Sequence, residues 1–301
     1  MRLVPILDTS VFLDAASTRG IISPSDWKIL RRHLPKSGCP LSAITLGELL
    51  TGLARCSSGM FREAQQALHL ARSISKSRVL GQPRSFAWEN ILHAPPPYWG
   101  VDRKKLQMWL ELACRARTKE DLVESALPDK RTLRRGRRYV GLDLAGIAAD
   151  TFAERSWYIK AIQHTLQWMS SQATENPTGT RIPSGRAEKL KYIFRRADWK
   201  KKVAESFLEG SGLEPTDERL EALATHLDAA FTLETELARQ TFLGTYRFDD
   251  NPSDWSDCLQ LYYLARHNHC FLTQDKRLLQ RIRGCAQSDR VFTFDSFIAS
   301  L

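Results

Sequence analysis

The chain has 301 residues, 43 % of them apolar, which suits one large domain or two of ordinary size around a sizeable core. Lysine and arginine number 44 against 34 acids, and the formal net charge of +10 draws the protein towards polyanions, nucleic acid before anionic membrane. No apolar run reaches the ~18 residues of a membrane span, and six scattered cysteines show neither zinc spacing nor a disulfide framework, so a cytoplasmic protein with free thiols is expected.

Leu3 to Leu7 is a short apolar run suited to a buried parallel strand. Asp8 cuts it off too early for a signal peptide. Asp8-Thr9-Ser10 ends the strand, and Val11-Phe12-Leu13 open a helix. Ser23-Pro24-Ser25-Asp26 carries a helix start: a capping hydroxyl, proline at the first position and an acid in the first turn. Pro40 to Ile44 reads as a second strand, running into a helix through Leu46-Gly47-Glu48-Leu49.

From Met60 to Tyr246 the periodicity is helical almost throughout, with helices expected over 61–72, 104–115, 142–169, 187–207 and 218–242. Alternation returns with Asn251-Pro252-Ser253-Asp254, which opens a helix. It continues through a strand over Cys270–Thr273, a helix from Lys276 to Ile282, a strand over Val291–Phe294 and a terminal helix from Asp295. The expected fold is α/β, a central parallel sheet flanked by helices and interrupted by a large all-helical insertion. Residues 1–58 and 247–301 form the discontinuous α/β domain; 59–246 form an inserted subdomain that binds substrate or a partner.

In open parallel sheets, ligands bind beyond the carboxyl ends of the strands. Asp8 and Asp275 follow strands directly, and Glu48 lies about a turn into the helix after the expected second strand. Asp254 and Asp257, three residues apart, share one helix face. Acids gathered from four elements repel one another, and a bound cation resolves that repulsion. Hard oxygen ligands favour Mg²⁺ or Mn²⁺ over zinc, and such ions activate water for phosphodiester hydrolysis. Asp8, Glu48, Asp257 and Asp275 are the candidate catalytic ligands, Asp254 is an additional metal ligand, and Thr9, Ser10 and Thr273 support them.

Asp8-Thr9-Ser10-Val11-Phe12-Leu13 resembles the opening motif of PIN-domain ribonucleases, including VapC-like toxins. Ser42 to Gly52, with Glu48, resembles their second motif; Asp257-Cys258-Leu259-Gln260-Leu261 the third; Phe271-Leu272-Thr273-Gln274-Asp275 the fourth. The resemblance covers 1–58 and 247–301, and the step from Glu48 to Asp257 is far longer than in a compact PIN domain. It implies an endoribonuclease that leaves a 5′-phosphate and a 3′-hydroxyl. It also suggests a toxin acting on structured RNA such as tRNA, with an antitoxin or other protein partner. A structure-selective DNA nuclease on the same fold and a catalytically silent nucleic-acid-binding protein are the alternatives.

Two basic stretches lie between the motifs. Arg134, Arg135, Arg137 and Arg138 precede Tyr139, and Lys200, Lys201 and Lys202 follow Trp199. Cations beside an aromatic suit phosphate contact with base stacking, so these seven residues are the expected nucleic-acid contacts.

Overall fold

The computed structural model describes residues 3–94, 103–118, 121–122, 199–209, 212–247, 250–251 and 253–301, with the single positions 163, 167, 171 and 188. Arg134, Arg135, Arg137 and Arg138 lie outside them, as do nearly all of the helix expected over 142–169 and most of that over 187–207.

The protein is a mostly helical α/β structure with a small parallel sheet. Among the described residues three strands pair: β1 (Val4–Leu7), β2 (His269–Thr273) and β3 (Val291–Thr293). Their order is β1-β2-β3, so the central strand comes from the far end of the chain. Val4 lies opposite His269, Leu7 opposite Leu272, and Phe271 opposite Val291.

The strand expected over Pro40–Ile44 does not form. A single parallel bridge, Leu41 to Val79, stands in its place. The cause is Ser42: its hydroxyl oxygen accepts the Thr45 N–H at 2.9 Å, which caps a helix beginning at Ala43. The last strand is likewise ended by a cap, Thr293 accepting the Ser296 N–H at 3.1 Å.

Helices in chain order are α1 (Thr9–Ala16), α2 (Pro24–His33), α3 (Ala43–Arg55), α4 (Phe61–Ser75), α5 (Pro83–Ala87) and α6 (Arg103–Arg115). They continue with α7 (Trp199–Leu208), α8 (Asp217–His226), α9 (Asp228–Leu243), α10 (Asp254–Leu261), α11 (Lys276–Arg281) and α12 (Phe294–Ala299). The long helix expected over 218–242 is two helices meeting at Leu227. At that joint the Asp228 carboxylate is buried, accepting the Ala286 N–H at 2.7 Å and pairing with Lys200. A short segment that sequence periodicity did not mark, α5, runs on as one π-helical turn over Trp88–Leu92.

Successive strand residues face opposite sides of a sheet. Ile6 and Phe271 enter a core with Trp88, Phe207, Phe231 and Tyr262. Leu7, Cys270 and Leu272 enter the other, with Phe12, Trp27, Trp109 and Phe294. Helices α4 and α6 contribute to the second core and α5, α7, α8 and α9 to the first, so residues between 59 and 246 build both layers on the sheet. None of the six cysteines forms a disulfide, and no described helix is long and apolar enough to cross a membrane.

Because β2 serves both cores, truncation on either face should be costly. Leu272→Ala is expected to lower stability by about 2–5 kcal/mol and Phe271→Ala by about 3–5 kcal/mol. The readout is the midpoint of a denaturant titration at unchanged slope; a loss under about 0.5 kcal/mol at either site would mean that face carries no packed core.

Candidate metal centre

The carboxyl ends of β1 and β2 present Asp8 and, two residues past Thr273, Asp275. Asp8 is 7 % exposed and its carboxylate is enclosed by donors. Oδ1 accepts the Thr9 N–H at 2.7 Å and Gln260 Nε2 at 3.0 Å; Oδ2 accepts the Ser10 hydroxyl at 2.6 Å and the Thr273 hydroxyl at 3.0 Å. The Asp275 N–H in turn donates to Thr273 Oγ1 at 3.0 Å, and the Gln274 N–H to Ser10 Oγ at 3.3 Å. Thr273, Ser10 and Asp8 thus lock the two strand ends together. Glu48, half-buried on α3, receives the Thr9 hydroxyl. Asp257 sits in the first turn of α10.

Electrostatics binds these acids into one group. The Asp257 carboxyl is pushed well above the usual carboxylate range, first by burial and then by the charges of Asp8, Asp275, Glu48 and Asp254. Asp8 is raised by burial, against the opposing hydrogen bonds from Ser10, Thr273 and Thr9, with Asp275 adding to the rise. Glu48 is raised by burial and by Asp8, against the hydrogen bonds of Thr9 and Ser256. The structure therefore brings Asp8, Glu48, Asp257 and Asp275 to one sheet edge. Asp254 stands beside them but is engaged: it is 2 % exposed and Arg281 Nη1 donates to its Oδ2 at 2.9 Å.

The donor set matches the hard oxygen ligands that Mg²⁺ and Mn²⁺ take. Its arrangement is not yet a ligand cage. Among the described residues no three His, Cys, Asp or Glu side chains are placed to hold one ion as they stand. The occupied lone pairs explain this. Asp8 spends its oxygens on four donors, Glu48 on Thr9, and Asp275 on capping α11 through the Arg277 and Leu278 N–H groups at 2.7 and 3.3 Å. Asp8 also caps α1. Ligation requires Asp8 and Glu48 to exchange hydroxyl donors for the ion, and hydroxyl rotors permit that exchange at little cost.

Sequence reasoning missed Gln260, which is 1 % exposed and anchors the centre. Ser42 Oγ donates to its Oε1 at 3.0 Å, which turns its amide nitrogen towards Asp8. Thr45 Oγ1, donating to the Leu7 carbonyl at 3.0 Å, ties α3 to the end of β1. The available signal was spacing: Gln260 comes three residues after Asp257 and so shares its helix face. Gln274 carries a buried amide nitrogen without a partner among the described residues, a donor suited to an anionic oxygen and not to a cation.

The lysines of the second basic stretch are in ion pairs. Lys200 meets Asp228 at 2.5 Å, Lys201 meets Asp217 at 3.3 Å, and Lys202 meets Glu205 at 2.8 Å. Phosphate contact there would have to displace these carboxylates. Compared with known proteins, the chain matches no family model, no curated protein and no solved structure.

The pH response is set by the sign of the shifts. Asp8, Glu48 and Asp257 all rise above ordinary values of 3.8 or 4.5, so the folded state holds their protons more tightly than the unfolded chain. Metal-free stability from these groups is complete below those values and lost as pH climbs through the raised ones. Asp257→Asn should then melt higher than wild type in EDTA at pH 7.5, by about 2–4 °C for each kcal/mol of repulsion relieved, with the gap closing towards pH 4. A gap of the opposite sign, or one constant with pH in differential scanning fluorimetry, would contradict the coupling.

Proposed function

We propose that this chain is a PIN-like, divalent-metal-dependent endoribonuclease hydrolysing RNA phosphodiesters. One observation carries the reading: Asp257, in the first turn of α10, lies in the field of Asp8, Asp275, Glu48 and Asp254, and each leading influence on it, burial first, disfavours its charge. Buried acids are not gathered this way for stability, since ionising them costs folding energy. Asp8, Glu48, Asp257 and Asp275 would hold Mg²⁺ or Mn²⁺, with Asp254 behind them through Arg281. Such an ion lowers the pKa of a bound water and stabilises the leaving oxygen.

The chain's own groups set the geometry. Thr9, Ser10 and Thr273 aim the Asp8 and Glu48 carboxylates. Gln260 fixes Asp8 from the far side. Gln274 offers a buried N–H donor to a phosphate oxygen. The net charge of +10 favours a polyanionic substrate. Structured RNA such as tRNA, a toxin role and an antitoxin partner rest on the motif resemblance alone. A second reading, a nucleic-acid-binding protein without catalysis, is favoured by one observation: among the described residues no three acids are placed to share an ion as they stand.

The deciding experiment incubates the protein with total RNA and with DNA in Mn²⁺, Mg²⁺ or EDTA and maps the ends. RNA should be cut to 5′-phosphate and 3′-hydroxyl ends in Mn²⁺ or Mg²⁺ and left whole in EDTA. Asp8→Asn and Asp257→Asn should cut no faster than the metal-free control while keeping the fold. Gln260→Leu, which loosens a ligand without removing one, should lose about 10–100-fold in activity or metal affinity. Cleavage undiminished by EDTA sinks the proposal, and metal-insensitive RNA binding without cleavage establishes the second reading.

The arginine run gives a separate test of substrate binding. Replacing Arg134, Arg135, Arg137 and Arg138 by Ala in the Asp8→Asn protein should reduce the log–log salt slope of RNA binding by about 0.7–0.9 for each phosphate no longer neutralised. An unchanged slope assigns that run to solvent.

A further inference from the structure

At the opposite edge of the sheet, by the amino end of β2 and the Leu41–Val79 bridge, lies a cleft of about 510 Å³. Its polar wall holds Arg78, Arg103, Arg266 and Asn90, with Glu89 the one acid among its lining residues. Pro40, Val79 and Leu80 supply an apolar wall. The volume falls within the range of about 300–1,000 Å³ typical of small-molecule sites.

Each guanidinium is aimed by a fixed anchor. Arg266 Nε donates to Asn90 Oδ1 at 2.9 Å, and Asn90 Nδ2 donates to the Phe86 carbonyl at 2.6 Å, which settles the orientation of the amide. Arg103 Nη2 donates to Glu89 at 2.5 Å and lies over Gly81, where a Cβ would come within 3.0 Å of Arg103 Nε. A Cβ at Gly81 would therefore push the arginine aside by a few tenths of an ångström. Arg78 Nη1 donates to the Ser37 carbonyl at 3.2 Å. A guanidinium has five N–H donors, so each anchor leaves most of the fork for a ligand. The same field is felt beneath the cleft. His269, stacked on Phe86 at 5.5 Å, is held neutral with its pKa lowered to about 4, by burial first and then, against a hydrogen bond to the Tyr263 carbonyl, by Arg266, Arg290 and Arg78.

We propose that this cleft is a second ligand site that takes a phosphomonoester of mononucleotide size, the phosphate gripped by Arg78, Arg103 and Arg266 and the base or sugar laid on the apolar wall. Three guanidiniums against one carboxylate leave a positive excess, and a phosphate matches guanidinium forks with paired hydrogen bonds. A five-residue strand rises about 16 Å, which separates this edge from the carboxylates, so the proposal stands whether or not the acid centre is a nuclease. The phosphomonoester has two sources, a free nucleotide or the 5′-phosphorylated end of an RNA, and the two present the same chemistry to the cleft.

Isothermal titration of the full chain in EDTA at low salt tests this with five probes: AMP, adenosine, inorganic phosphate, and a trinucleotide with a 5′-phosphate or a 5′-hydroxyl. AMP is expected to bind with a Kd below about 1 mM and adenosine at least about tenfold more weakly. Arg266→Ala and Arg78→Ala should each weaken AMP at least about tenfold, or 1.4 kcal/mol, while Arg239→Ala, at an exposed arginine of α9 that pairs with Glu236 and does not line the cleft, leaves it unchanged. Arg266→Lys keeps the charge and loses the fork; it should fall between wild type and the alanine variant, and it guards against an alanine variant whose melting shows misfolding. Tighter binding of the phosphorylated trinucleotide than of AMP identifies an RNA end as the source; the reverse identifies a free nucleotide. The proposal is overturned if adenosine binds as well as AMP, if no phosphorylated probe binds below about 10 mM, or if folded Arg78 and Arg266 variants retain wild-type affinity.

Discussion

The Asp8 carboxylate receives four hydrogen bonds, and three of them come from side chains: Ser10 beside it, and Gln260 and Thr273 from the far end of the chain. A buried acid left without donors would be expelled from the fold or neutralised. Here the donors come from α1, α10 and β2, so satisfying one carboxylate fixes the mutual placement of the elements that carry Asp8, Asp257 and Asp275. Gln260 extends the constraint to α3 through Ser42. The Thr45 hydroxyl, bonded to the Leu7 carbonyl, closes the loop back to β1.

That arrangement works against the stability of the isolated protein. The hydrogen bonds around Asp8 favour its charge, burial and the neighbouring acids oppose it, and burial dominates. Asp257 has no comparable relief. Two of the five acids meet an arginine: Asp254 is paired with Arg281 at 2.9 Å, and Asp275 more loosely with Arg277 at 3.6 Å. The structure thus divides its acids into two that meet arginines, Asp254 and Asp275, and three, Asp8, Glu48 and Asp257, whose charge is opposed by burial and by neighbouring acids, a division that matters for chemistry because those three are where a cation gains most.

The terminal strands were legible because each is an apolar run closed by a residue that caps the next helix: Asp8 for α1, Asp275 for α11, Thr293 for α12. The same logic failed at Leu41, where Ser42 caps a helix inside the expected strand. The break at Leu227 carries no glycine or proline, so it is set by the tertiary partners of Asp228, which sequence does not display. Asp8, Asp275 and Asp257 were legible as strand-end and first-turn residues, and Glu48 from its place about a turn into a helix. Gln260 and Arg281 were not, because a buried amide and a salt-bridged arginine acquire meaning only from what folds against them. The ion pairs of Lys200, Lys201 and Lys202 were hidden for the same reason. The stretch 59–246 read as an insertion because its periodicity differs from that of the ends, yet the apolar faces of its described helices contribute to both cores.

The pairing of β1 with β2 also has a history in time. Val4 meets His269 only after the intervening chain exists, and α1, α3 and α10 cannot be drawn around Asp8 before Gln260 and Thr273 have been synthesised. At the usual ~5–20 residues per second, an emerging polypeptide spends tens of seconds with its first strand unpartnered and its acids dispersed. The nascent chain is therefore inert at this centre until the residues from Asp257 to Asp275 have been made. It is also exposed over the same interval, since a lone apolar strand edge is a template for wrong pairing. Whatever chemistry the carboxylates perform is switched on by the arrival of Asp257 to Asp275, about 250 residues after Asp8, a timing control written into topology.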